Sequence, residues 1–115
     1  MIETKIALIA LVAFCALIGA TGQIFFKQAS ADVSTDIKSW IYNYKLMIGI
    51  TLYAIATILF VAALKYGNLS VLYPIIATGY IWVALFSSIF LHEPFPAFKW
   101  IGILLIIAGV GIVAK

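Results

Sequence analysis

Gly19-Ala-Thr-Gly-Gln-Ile-Phe-Phe-Lys-Gln-Ala-Ser30 closes the first long apolar segment of this 115-residue chain, and it places two glycines, a threonine, a glutamine and a lysine where lipid-facing residues are expected. Polar groups in hydrocarbon are costly unless they pair or face a cavity. Wound as a helix, the segment sets Ala13, Ala16, Ala20, Gln23 and Lys27 on one face at i+3 and i+4 spacing, so a stripe of small residues leads to a polar end. Such a face suits a neighbouring helix or a polar ligand better than lipid. The competing reading is that the small residues only permit close packing while Lys27 snorkels to the interface.

The segments around it set the class. The chain is 66% hydrophobic and 10% charged, with a mean hydropathy of +1.22. A soluble domain of this size buries only about 60–70% of the surface its unfolded chain exposes and cannot hide that much apolar area. Charges fall at the ends of apolar blocks: Lys5 and Lys27 bracket the first, Lys45 and Lys65 the second, and Lys99 and Lys115 the last. Between Lys65 and Glu93 runs a block without charge. At 1.5 Å rise a span needs roughly 20 apolar residues, so the pattern predicts an all-α integral membrane protein. Its single membrane domain, 1–115, has four transmembrane helices over about 6–26, 46–64, 71–91 and 96–114.

The net charge of +3 comes from lysines spread along the chain. They read as anchors at the membrane edge, and no basic patch points to nucleic acid. Cys15, the one cysteine, reads as a small apolar filler. The first segment imitates a signal peptide, but three further spans and the missing polar cleavage region argue that it stays.

After the first helix, 27–44 is the longest polar stretch. Ser34 or Thr35 ahead of Asp36 suits the start of a short helix, and Trp40, Tyr42 and Tyr44 resemble an aromatic belt at the lipid headgroups. In the second span the threonines can bond their own backbone, and nothing there demands chemistry. The link Lys65-Tyr66-Gly67-Asn68-Leu69-Ser70 reads as a tight turn in which glycine and asparagine tolerate positive φ. Its Asn-Leu-Ser sequon lies too near the bilayer to be credited as a glycosylation site.

In the third span Pro74 either sits in the first turn or frees a carbonyl deeper down, where Tyr73 and Tyr80 can line a cavity. Pro94 forces Glu93 out of helical geometry, so His92-Glu93-Pro94 ends that helix. In the fourth, Gly102, Ile106 and Gly109 form a stripe at i+4 and i+7 that permits close helix contact and is the candidate dimer interface. Lysines divide three against four between the faces: Lys5, Lys65 and Lys115 against Lys27, Lys38, Lys45 and Lys99. The positive-inside rule therefore sets no orientation. Such a chain can pair as an antiparallel dimer, or a partner chain fixes its orientation, and four short helices enclose so little space that a dimer is the expected working unit.

With these residues in place, the whole chain resembles the four-helix members of the drug/metabolite transporter superfamily, EamA-like and small multidrug resistance-like proteins. Gly22, Lys27, Tyr73 and Gly109 look like positions of the multidrug exporters, but Gly19 stands where those proteins carry a glutamate and Ile76 where they carry a tryptophan. The chain is more similar to the small subunits of the undecaprenyl-phosphate-aminoarabinose flippase. The likeness rests on Gly22-Gln23, Lys27-Gln28-Ala29, Tyr73-Pro74, Trp82-Val83, and His92-Glu93-Pro94 followed by Trp100 and Gly102. The resemblance implies a multi-pass inner-membrane transporter that moves a polyprenyl-phosphate-linked sugar or similar amphiphile between leaflets, as a homodimer or as a heterodimer with a related four-helix subunit.

A proton-coupled cation exporter needs a buried acid, whereas Glu3, Asp32, Asp36 and Glu93 all fall at predicted membrane edges. A phosphate headgroup asks instead for lysine, amide and hydroxyl partners. The candidate substrate residues are therefore Gln23, Lys27, Tyr73 and Tyr80, to which the resemblance adds Gly22 and Pro74, and Glu93, the last pairing with Lys27 or Lys99 or recognising a cationic group on the sugar. No catalytic set, cofactor or metal site is expected, and His92 reads as a headgroup contact. Export of small organic cations and a non-transporting assembly role are the alternatives.

Overall fold

The computed structural model describes residues 2–113, so Met1, the predicted helix end at Ala114, and Lys115 lie outside the described residues. Its order is α1 (Ile2–Ala29), a 3-10 turn (Ser30–Asp32), α2 (Lys38–Ile41), α3 (Tyr44–Leu64), α4 (Leu69–Ile76), α5 (Gly79–Phe90) and α6 (Ala97–Val113). The protein is an all-α membrane bundle of four spans. Glu3–Asp32, Tyr44–Leu64 and the α4–α5 pair, Leu69–Phe90, are long and apolar enough to cross a bilayer. The fourth, α6, has 17 residues, at the lower limit for a span.

α1 runs about a turn past each end of the 6–26 expected. Its sequence holds no breaker, and Glu3 in the first turn and Lys27 in the last complement the helix dipole. It is the hub, packing on α3, α4 and α5, while α6 packs chiefly on α4. The buried positions of α3 are Gly49, Ala56 and Ala63, a spacing of seven that keeps one seam turned toward α1. Where the two cross, a Cβ on Gly22 would stand 3.1 Å from the Gly49 carbonyl oxygen, and one on Gly49 would stand 2.7 Å from Phe26 Cδ1. Only hydrogen at both positions permits that approach. Toward the other end, Val12, Ala63, Leu72 and Ile75 form the buried core.

The third span, expected over about 71–91, is made of α4 and α5 joined at Ala77 and Thr78, and Pro74 takes the deeper of its two expected placements. Pro74 is the sixth residue of α4, past the first turn, and lacks the N–H that would bond the Ser70 carbonyl. The chain tightens just after it: Ala77 and Thr78 donate to the Pro74 and Ile75 carbonyls at 3.0 Å, and Tyr80 and Ile81 donate to Ala77 and Thr78 at 3.0 Å. The Thr78 hydroxyl reinforces this tighter turn by donating to the Ile75 carbonyl at 2.7 Å.

The 65–70 link also departs from expectation, since none of its residues has positive φ. Gly67 is required there for space: a Cβ would meet Leu8 Cδ2 at 2.7 Å and Leu72 Cδ1 at 3.0 Å. Positive φ appears instead at His92, 56°, where α5 stops and the Glu93 N–H turns back to the Ser87 carbonyl at 3.1 Å. In the polar loop, Asp36 Oδ1 accepts from the Lys38 N–H at 3.0 Å and starts α2. Asn43, buried, ties the loop down by donating to the Ala29 carbonyl at 2.9 Å while its Oδ1 caps α3 at the Leu46 N–H, 3.2 Å. Trp40, Tyr42 and Tyr44 are all exposed at this end, as an interfacial belt requires.

Candidate substrate groove

A groove of about 640 Å³ opens between α1, α3 and the broken third span. Its floor is the small-residue stripe of α1: Cys15, Ala16, Gly19, Ala20 and, at the polar end, Gln23. Nothing lies within 4 Å of the position a Cβ on Gly19 would take, so that glycine is what deepens the floor. One wall is α3, with Tyr53, Thr57 and Phe60, and the other is Tyr73, Gly79 and Tyr80 around the break. The break brings that wall against the floor, since a Cβ on Gly79 would stand in ordinary contact with Ala16, 3.5 Å from its carbonyl oxygen.

The rims are tyrosines. Tyr53 is 48% exposed, Tyr73 62% and Tyr80 64%, so the groove faces sideways into the bilayer or toward a second subunit. Tyr53 stacks at a tilt on Phe26, ring centroids 6.2 Å apart, and Tyr73 on Phe60 at 6.5 Å, which fixes ring planes while leaving the hydroxyls free. Thr57 donates to the Tyr53 carbonyl at 2.9 Å and keeps its lone pairs for a ligand. The polar lining is thus one amide and four hydroxyls, and none of the lining residues is charged.

The structure brings Gln23, Tyr73 and Tyr80 together in this groove. Gly22 is instead buried in the α1–α3 crossing, and Pro74 shapes the wall through the backbone. Lys27, exposed, lies one turn beyond Gln23 outside the lining. Glu93 falls in a second cleft of about 360 Å³ between α5 and α6, with Ser87, Phe95, Lys99, Gly102 and Ile106, and Tyr80 is shared by both cavities. Gly102 and Ile106 therefore line a cleft within the chain, while Gly109 has open space beside it. The sequence reading passed over α3, although Tyr53, Thr57 and Phe60 recur at i, i+4 and i+7 and mark one face.

The EamA-like transporter family matches residues 2–115. The chain belongs to that family. It is therefore a membrane transporter and not an enzyme. Among its relatives, the probable 4-amino-4-deoxy-L-arabinose-phosphoundecaprenol flippase subunit ArnE of Escherichia fergusonii is 28% identical over 99 residues, 86% of this chain and 89% of that one. The Escherichia coli protein of the same description is 26% identical over 102 residues, 89% and 92% of the two chains. Protein y4nH of Sinorhizobium fredii is 33% identical over 97 residues, 82% and 83%. No solved structure matches this EamA-like chain.

Proposed function

We propose that this protein moves a polyprenyl-phosphate-linked sugar, or a closely similar amphiphile, between the leaflets of the bacterial inner membrane. The observation that carries the reading is the groove lining: hydrogen-bonding groups on a small-residue floor, open to the side, with no ionisable acid. A sideways opening lets an isoprenoid tail stay in lipid while the headgroup crosses along Gln23, Tyr53, Thr57, Tyr73 and Tyr80. Hydroxyls and amides can serve a phosphate or sugar without the desolvation that a buried ion exacts. Lys27, one turn beyond Gln23, meets the phosphate at the groove mouth. Relatives described as flippase subunits for an aminoarabinose-phosphoundecaprenol support the same substrate class.

The same opening supports a working unit of two four-helix subunits, either two copies or this chain with a related one, because a facing subunit would close the groove. Gly109 and the free face of α6 belong to that contact. Cation export fits less well: Gly19, with open space above it, occupies the floor where an exchangeable acid would have to stand, and Glu93 lies in the other cleft.

The test is thermal stabilisation of the detergent-purified protein by undecaprenyl phosphate, by a quaternary ammonium compound and by phosphatidylglycerol. Binding to the folded state raises Tm by mass action. The expected result is a rise with the polyprenyl phosphate that shrinks in Gln23→Ala and Lys27→Ala. A rise with the ammonium compound alone would reject the lipid-carrier reading.

A further inference from the structure

The groove lies inside the span of α1, and its two ends are closed in different ways. Its floor runs along α1 from Cys15 to Gln23, about 12 Å at 1.5 Å rise per residue. Past Cys15, toward the start of α1, the bundle is solid: Val12, Ala63, Leu72 and Ile75 are each no more than 2% exposed and pack as one cluster. Past Gln23 the closure is a single side chain. Phe26 stands there, half-buried, its ring tilted against that of Tyr53 with centroids 6.2 Å apart. The same ring lies directly on Gly49, where a Cβ would meet Phe26 Cδ1 at 2.7 Å and Cε1 at 2.8 Å. Gly49 is thus a seat for the ring as well as a crossing point for α1 and α3. The crossing itself is a separate contact, since a Cβ on Gly22 would meet the Gly49 oxygen, Leu52 Cβ and the Tyr53 nitrogen and no atom of the ring. Lys27, exposed, follows immediately.

We propose that Phe26 is the gate of the groove: seated on Gly49, its ring seals the floor from water at the Lys27 end, and rotation off that seat admits a headgroup. The other boundaries cannot serve. The sideways opening faces hydrocarbon, in which a polar group is costly, and the Val12 cluster parts only by unpacking a close-packed core. Rotamer exchange of the half-buried Phe26 breaks one aromatic pair and no backbone hydrogen bond. The movable seal therefore lies on the face that carries the 30–43 loop, between the groove and Lys27. An antiparallel pair of such chains carries one gate at each face of the membrane, as movement between leaflets requires. This inference rests on the groove as the headgroup path and adds the residue that controls access to it.

The test uses the chain's one cysteine as its reporter. Cys15 lines the far end of the floor and is 1% exposed, so a charged, membrane-impermeant thiol reagent, sulfonatoethyl methanethiosulfonate, reaches it past Phe26. The full chain in lipid nanodiscs presents both faces to the reagent, and intact mass follows the labelling. Phe26→Ala is expected to label about tenfold faster than wild type, the size that loss of one aromatic pair allows. Gly49→Ala pushes the ring off its seat and should accelerate labelling too. Gly22→Ala loosens the crossing without touching the ring and should label near the wild-type rate. Size exclusion checks that each variant folds, and Phe26→Ala with Gly22→Ala decides the matter if Gly49→Ala does not. Equal rates for Phe26→Ala and wild type overturn the gate. A rise in Gly22→Ala as large as that in Phe26→Ala overturns it as well, by making the crossing the seal. Stabilisation by undecaprenyl phosphate separates the failures: if it persists while Phe26→Ala labels like wild type, the gate falls alone, and if wild type shows none, the carrier reading falls while the labelling still decides the gate.

Discussion

Gly19 and Gly22 lie three residues apart on α1 and should respond oppositely to the same substitution. At Gly22 a Cβ would come within 3.1 Å of the Gly49 carbonyl oxygen and 3.5 Å of Leu52 Cβ, and the opposing atom is backbone that moves only if α1 and α3 separate. Overpacking of this kind costs about 1–3 kcal/mol, against about 1 kcal/mol returned by the higher helix propensity of alanine. A net loss of about 1 kcal/mol is expected for Gly22→Ala. At Gly19 nothing lies within 4 Å, so Gly19→Ala keeps the propensity gain of about 1 kcal/mol. The difference of about 2 kcal/mol corresponds to roughly 6–12 °C in Tm for a chain this long. Thermal unfolding in one detergent, followed by size exclusion, measures it. Gly19→Leu then completes the separation by filling the groove floor: it should fold and assemble like wild type yet transport poorly. Equal Tm values for Gly22→Ala and Gly19→Ala would refute the close crossing, and unimpaired transport by Gly19→Leu would refute the groove.

Three further outcomes are expected. Tyr73→Phe and Tyr80→Phe each remove one hydroxyl from the groove rim while keeping the ring, and should raise the apparent KM for transport about two- to tenfold with little change in Tm. Pro74→Ala restores a donor to the Ser70 carbonyl. It should slow hydrogen exchange of the amides at 76–80 and lower transport, because the wall carrying Gly79 and Tyr80 follows directly on the break. Asn43→Ala strands the Ala29 carbonyl and uncaps α3, and should cost about 1–2 kcal/mol, read as a fall in Tm.

The four spans are legible in the sequence because span length and charge placement are local properties, as the lysines at the ends of each block show. The face of α1 from Ala16 to Gln23 is legible for the same reason, since helical spacing alone puts it on one side. What could not be read locally depends on distance in the fold. That Gly22 packs on Gly49, that Tyr53 lines the same groove as Tyr80, and that Glu93 shares a cleft with Lys99 and not with Lys27 are all set by which helices touch. The break after Pro74 lies between these cases. Proline announces the lost hydrogen bond, but the tightened turn at 77–78 appears only once Thr78 and Gly79 are seen against α1.

The position of α1 as hub has a consequence for biogenesis. α1, on which every groove wall rests, is made before the elements that pack on it: 61 residues separate its end at Ala29 from the end of α5 at Phe90. At translation rates of about 5–20 residues per second, that interval is about 3–12 s. Through it, the amide of Gln23 and the glycine-rich end of α1 must wait at the translocon or in lipid. The α1–α3 hairpin, zipped through Gly22 and Gly49, is the earliest assembly that can shelter them. Substitutions at that crossing should therefore show first as chains degraded during insertion, before any defect in the finished transporter is measurable.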